Sequence, residues 1–402
     1  KAIDIAQASA KFKKNDIVLT KIPVVRDRYE TPQEIDLRAI SANEKIDLLT
    51  EVNSEILKVQ GIQQARSMMN SIYTDTIFGS SEGSLIEQSI IACGAGSVSF
   101  AADNTNAAFR SYPASFQGDH NTAGFEHILS LDLVNGSREF AHQAVQLLKA
   151  KSCKSGKKTV ILDGSMMTLM IHESIGHALE LDRVLGSEAS YAGTSFATTE
   201  KRLKYQYGSE KVTITADSTL PGGMGTYKYD DEGSPANRTV LIENGLLKNY
   251  LTSRETAYLN QGQISGAMRA EGWQNFPLIR MTNINIEPGD SSLNQMISET
   301  EDGIFMKTIK TYSIDDKRLN FQFAPEMAWE IKNGKIGDVI SNVKYSGITP
   351  EFWNSCDAVG GSDEWHLWGI PVCGKGEPGQ SVPVGHGTAP ARFQNIQVWG
   401  DL

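Results

Sequence analysis

Met170-Ile-His-Glu-Ser-Ile-Gly-His-Ala-Leu-Glu180 sets two histidines and a glutamate inside an otherwise apolar run. Apolar positions cover most of the helix that this stretch would form, so the helix is expected to be buried. Buried imidazoles need partners. A metal ion would satisfy both, and Glu173, directly after the first histidine, would then stand where a carboxylate can work on a metal-bound water. The spacing is H-E-x-x-x-H, one residue longer than the H-E-x-x-H that puts two histidines on one helix face. At about 100° per residue, five steps leave His172 and His177 roughly 140° apart on a straight α-helix. The helix must therefore end, tighten or bulge between them, and Gly176 is well placed to permit it. The competing reading is a pair of satisfied core histidines.

Upstream of this helix, residues 154–158 read as a turn and residues 159–162 as a buried strand. Downstream of Gly186 helices become scarce. Strand candidates at 211–216, 238–243, 247–251, 279–286, 305–309, 320–323, 327–332 and 336–344 alternate with Gly, Pro and Asn-Gly turns. Glu243-Asn-Gly245 and Lys332-Asn-Gly334 are hairpin signals. Toward the N-terminus, residues 16–19 are a strand candidate. Ser41-Ala-Asn-Glu44 is a capping-box pattern that launches a helix over 45–60. Residues 66–113 turn strand-like, with runs at 84–92 and 96–101 separated by Gly and Ser. Residues 114–127 read as loop, and 126–151 as a helix broken near Gly136. The expected fold class is α+β: an N-terminal α/β-type domain, middle residues 36–153, followed by a larger β-rich, curved-sheet or barrel-like domain, 154–402, that carries the buried metal-binding helix.

Composition narrows the function. The chain has 402 residues, with 38 basic against 48 acidic side chains and a net charge of −10. A protein that tracks a nucleic-acid backbone needs a basic face, and no Lys/Arg block beyond the short 151–158 stretch supplies one. No nucleic-acid partner is expected. Four cysteines without CxxC spacing exclude a disulfide framework and a zinc ribbon, and point to buried thiols in a reducing compartment. The most apolar stretch, 160–181, is interrupted by Asp163, His172, Glu173, His177 and Glu180, which is wrong for a bilayer helix, so no membrane partner is expected either. The expected location is the cytoplasm, with an exported form that has lost its signal as the alternative.

His172-Glu-Ser-Ile-Gly-His177 with Ala-Leu-Glu-Leu-Asp182 resembles the signature of the TldD/PmbA metallopeptidases, in their TldD-like, catalytic branch. Further segments agree in order: Gly79-Ser-Ser-Glu-Gly83, Leu220-Pro-Gly-Gly-Met-Gly-Thr-Tyr227, Asp230-Asp-Glu-Gly233, Glu243-Asn-Gly-Leu-Leu-Lys-Asn-Tyr-Leu251, Arg280-Met-Thr-Asn283 and Cys373-Gly-Lys-Gly-Glu-Pro-Gly-Gln380. The resemblance implies His172, His177 and Cys373 as metal ligands, an open three-ligand site suited to Zn²⁺, with Fe²⁺ allowed by ligand type. It implies Glu173 as general base, and residues 1–35 as a remnant of the family's N-terminal domain. Glu180 and Asp182 are candidates to orient a ligand imidazole, and His366 and His386 are rival ligands. The implied activity is a zinc-dependent endopeptidase cleaving unfolded or leader peptides. The peptide would add as a strand along a β-rich groove, for which Gly223, Arg280 and Asn283 are border candidates. A PmbA-like partner chain or a second copy would close the site. The alternative is a non-catalytic peptide-binding or regulatory protein with a structural metal. A non-haem iron redox enzyme, whose usual set is two histidines and a carboxylate, fits a thiolate ligand poorly.

Overall fold

The computed structural model describes residues 1–12 and 17–400. A five-stranded sheet forms the first unit, centred on Leu85–Ala102, which is flanked by Ile62–Gly79 and by Arg26–Glu30, with Ala107–Tyr112 and Asp119–Asn121 paired further along it. The sheet thus reaches back past residue 36. Asp16 lies outside the described residues, and 17–19 is irregular rather than strand.

Helices Ala42–Leu57 and Leu133–Leu147 bury one face of this sheet under Val52, Ile56, Ala141 and Ala144. The expected capping box is present: Ser41 Oγ accepts from the Glu44 amide at 3.2 Å, and the Glu44 carboxylate accepts from the Ser41 amide at 2.8 Å. Two local expectations are corrected. The runs expected at 84–92 and 96–101 form one strand, because Gly94 and Gly96 serve close packing rather than a turn. A Cβ on Gly94 would lie 2.2 Å from the His120 ring, and one on Gly96 would lie 2.5 Å from the Gly118 Cα. Similarly, Gly136 does not break its helix; a Cβ there would meet the Tyr112 ring at 1.9 Å. The break falls at Asp132, whose φ is 42°, between helices Phe125–Ser130 and Leu133–Leu147.

The second unit is a mixed sheet in which Asp302–Ile314, Gly156–Leu162, Ala391–Trp399, Lys344–Ile348 and Asn320–Lys332 pair in turn. The last strand pairs back onto the first, giving a partial five-stranded barrel. Both Asn-Gly hairpins form, with Asn244, Gly245, Asn333 and Gly334 all at positive φ, as that turn requires. Expected strands 320–323 and 327–332 merge across a bulge opposite Pro325. Strands Cys356–Val359, His366–Lys375, Gln380–Thr388 and Ala391–Trp399 had no counterpart among the sequence candidates. In His366–Lys375 and Gln380–Thr388 the Gly, Pro and His content hides the β pattern.

The two units are bolted together by a buried ion pair. Arg110 Nη1 lies 2.8 Å from Glu326 Oε2, and Glu326 also accepts from the Ser111 amide and hydroxyl, each at 2.7 Å. No helix among the described residues is long and apolar enough to cross a membrane.

Candidate metal centre

Strand Gly156–Leu162 runs directly into helix Gly164–Ile171, whose first turn is capped by the Asp163 carboxylate accepting from the Met166 amide at 3.2 Å. Every residue of that helix is buried. It then widens: His172–Gly176 is one turn of π-helix, closed by a hydrogen bond from the His177 amide to the His172 carbonyl. This i→i+5 bond brings His177 over His172, and their ring centroids stand 4.9 Å apart. The bulge that the spacing demanded is there. Gly176 itself has a right-handed backbone; it matters because a Cβ would fall 2.0 Å from Met281 Sδ. The Ser174 carbonyl takes the Tyr207 hydroxyl, and Ser174 Oγ takes the Trp353 indole N–H at 2.9 Å.

Cys373 reaches the histidines from strand His366–Lys375. A bulge between Ile370 and Cys373 shifts that strand's register against Gln380–Thr388. Such a bulge re-aims side chains. Cys373 Sγ lies 3.4 Å from His172 Nε2 and 3.6 Å from His177 Nε2, and the three candidate ligand atoms lie within 4.8 Å of one another. Zinc–nitrogen bonds of about 2.0 Å and a zinc–sulfur bond of about 2.3 Å at tetrahedral angles place N and S about 3.5 Å apart. Both sulfur–nitrogen distances match that spacing.

The imidazole tautomers suit that role. His386 Nδ1 faces the Ile284 carbonyl at 3.2 Å and so carries the proton. Its Nε2 then accepts from His172 Nδ1 at 2.8 Å, which leaves the His172 Nε2 lone pair toward Cys373. His177 Nδ1 donates to Glu180 Oε2 at 2.9 Å, freeing its Nε2 in the same way. Burial would raise the Glu180 carboxyl, but Lys375, 3.3 Å away, and His177 hold it well below the usual range. Burial pushes the Cys93 and Cys356 thiols up to about 12. Cys373 is also buried, yet His177 and Arg280 draw its thiol downward, toward the thiolate.

Glu173 lies in the same cleft, a cavity of about 440 Å³ that His172, His177 and Cys373 also line. Its carboxylate pairs with Arg318.

Residues 155–400 match the model of the PmbA/TldA metallopeptidase C-terminal domain, and residues 35–150 match that of the central domain. The chain belongs to the PmbA/TldD metallopeptidase family. A metalloprotease of Methanocaldococcus jannaschii is 35% identical over 96% of this chain and 81% of its own length. A zinc metalloprotease TldD homolog of Saccharolobus solfataricus is 30% identical over 64% of this chain and 54% of its own. The crystal structure of TldE from Thermococcus kodakarensis shares the fold, with a TM-score of 0.73 at 17% identity over 99% of this chain and 84% of that one.

Within this PmbA/TldD chain, the other sequence candidates take different places. His386 stands behind His172 and supports it. His366 is half-exposed and pairs with Asp119 at 2.7 Å, outside the cleft. Glu180 orients His177 as expected, whereas Asp182 holds Lys375 at 2.6 Å instead of an imidazole. Gly223, Arg280 and Asn283 are not among the residues that line the metal cleft. All three are buried. Arg280 clamps the Cys373 carbonyl, fixing the ligand loop from behind. Asn283 spends its amide on the Gly225 amide, the Asp217 carbonyl and Thr226 Oγ1, and Gly223 is pressed against it. Sequence reasoning missed Phe116, and Tyr312 with nearby Arg318, which line the cleft from two distant segments and sit in no motif.

Proposed function

We propose that this chain is a zinc-dependent endopeptidase acting on unfolded or leader peptides, with His172, His177 and Cys373 holding the ion and Glu173 as general base. The observation that carries the reading is the meeting, in one cleft, of three candidate ligand atoms within 4.8 Å of one another with a carboxylate that is not one of them. A structural site has no need of that carboxylate. Two imidazoles and a thiolate suit Zn²⁺ and leave one position open. Zinc, when bound, supplies Lewis-acid polarisation of the scissile carbonyl and of the attacking water.

Glu173 takes a proton from that water as the new C–O bond forms, and gives it to the amine nitrogen as the C–N bond breaks. Arg318 pairs with the carboxylate and holds it in place. Strand His366–Lys375 pairs on one side only among the described residues, and its residues 370 and 372–374 line the cleft. An extended peptide can pair with that open edge through main-chain bonds, which gives affinity without strict sequence demand. A PmbA-like chain or a second copy of this one is the proposed partner that closes the cleft.

The test is cleavage of an unfolded polypeptide before and after metal is stripped by a chelator, with zinc quantified at each stage. Activity that tracks bound zinc and returns on adding it back is the expected result. Stoichiometric zinc without cleavage, with a PmbA-like chain also supplied, would leave the metal a structural role and overturn the reading.

A further inference from the structure

Three large apolar side chains stand exposed in the cleft that holds Glu173: Phe116 at 40%, Tyr312 at 47% and Val372 at 62%. They come from three separate segments. Tyr312 lies on strand Asp302–Ile314 and Val372 in the bulge just before Cys373. Phe116 comes from the other structural unit, on the loop between Ala107–Tyr112 and Asp119–Asn121. Leu169, Ile314 and Ile370 continue the apolar wall.

The Phe116 loop is held in an unusual backbone. Phe116, Gln117 and Gly118 have φ of 58°, 77° and 94°, three successive residues in the left-handed region. A bulky side chain seldom adopts it, and such strain clusters at ligand sites. The neighbours enforce it. Gln117 Oε1 accepts from Asn70 Nδ2 at 2.6 Å, and Gly118 is so close to Ala95 that a Cβ would lie 1.9 Å from its carbonyl oxygen. The loop's root is pinned on the first sheet while its aromatic tip lines the cleft.

We propose that Phe116, Tyr312 and Val372 form a side-chain subsite beside the scissile bond that selects peptides carrying an aromatic or large aliphatic residue there. This rests on the peptidase reading above and deepens it. An aromatic wall pinned in advance pays no ordering entropy when substrate arrives, and apolar side chains entering it shed water. The open strand edge gives main-chain affinity to any sequence; the subsite sets which bond is cut.

The experiment is cleavage of a peptide series by the zinc-loaded chain, in which one position flanking the cut is Phe, Leu, Gly or Asp. kcat/KM for Phe and Leu is expected to exceed that for Gly and Asp by roughly 10- to 100-fold. In Phe116→Ala the ratio is expected to fall toward 1. In Val372→Arg, a change at an exposed position, the preference is expected to move toward Asp. Cleavage with no side-chain preference, or a preference that neither variant alters, would overturn the subsite and leave the peptidase reading standing. If no peptide is cut even with a PmbA-like chain supplied, the peptidase reading fails by itself. Fluorescence anisotropy of labelled Phe- and Gly-bearing peptides then decides the subsite: tighter binding of the Phe peptide, lost in Phe116→Ala, supports it, and equal or absent binding overturns it.

Discussion

His172 Nδ1 lies 2.8 Å from His386 Nε2, a pairing that spans 214 residues of chain and fixes which nitrogen of His172 faces Cys373. The Ile284 carbonyl holds the His386 proton on the far side, so the order of protons is set from the scaffold inward. His386→Ala is therefore expected to weaken zinc binding by about 10- to 100-fold while the three ligands remain. His386→Gln, which keeps an acceptor for the His172 proton, is expected to recover part of it. Chelator competition measures both. Unchanged affinity in His386→Ala would remove His386 from the site's design.

Arg318 and Glu173 make a second, part-buried pairing in the cleft. Arg318→Ala is expected to leave zinc stoichiometric and lower kcat by roughly 10- to 100-fold, since a general base that has lost its position forfeits part of its contribution. Metal analysis beside steady-state kinetics separates the two quantities. Loss of zinc in this variant would show that Arg318 supports the fold of the site and not the base.

Gly176 owes its identity to Met281, whose sulfur occupies the place of a Cβ. Gly176→Ala is expected to destabilise the protein by about 1–3 kcal/mol in denaturant unfolding, as overpacking does. Combined with Met281→Ala, the cost is expected to be less than the sum of the two single changes by at least about 0.5 kcal/mol. Strict additivity would mean that the clash is relieved elsewhere.

Legibility from sequence followed the range of each signal. The capping box at Ser41, the turns at Asn244 and Asn333 and the H-E-x-x-x-H bulge are local, and each formed where the residues placed it. Cys373 lies 201 residues from His172, so spacing alone could not join them, and resemblance named it instead. Arg318 is 145 residues from Glu173 and belongs to no pattern. Gly94, Gly96 and Gly136 misled because a glycine needed for tertiary contact looks, in sequence, like one that ends an element. The terminal strands were hidden for a related reason. Strands His366–Lys375 and Gln380–Thr388 are rich in glycine where backbones and rings approach closely, as Gly387 does to Trp365.

Asp27 ties strand Arg26–Glu30 to the second unit. Hydrogen bonds from Lys228, 2.7 Å away, and from the Tyr229 hydroxyl, at 2.7 Å, hold its carboxyl down at about 2. A carboxyl lowered on folding contributes stability above its unfolded value of about 3.9, and that contribution fades as pH falls through the folded value. Asp27→Asn is thus expected to lower Tm at pH 6 and to make progressively less difference between pH 4 and pH 2. A gap between the two proteins that persists at pH 2 would contradict the linkage.

The most direct measurement of the central claim is zinc content and peptide hydrolysis of Glu173→Gln beside the unaltered chain. Glu173 lies in the cleft with the three candidate ligands, so full zinc occupancy and hydrolysis lowered by at least about 100-fold are expected. Hydrolysis at the original rate with zinc in place would contradict the central claim, because the carboxylate in the cleft would then have no part in the reaction.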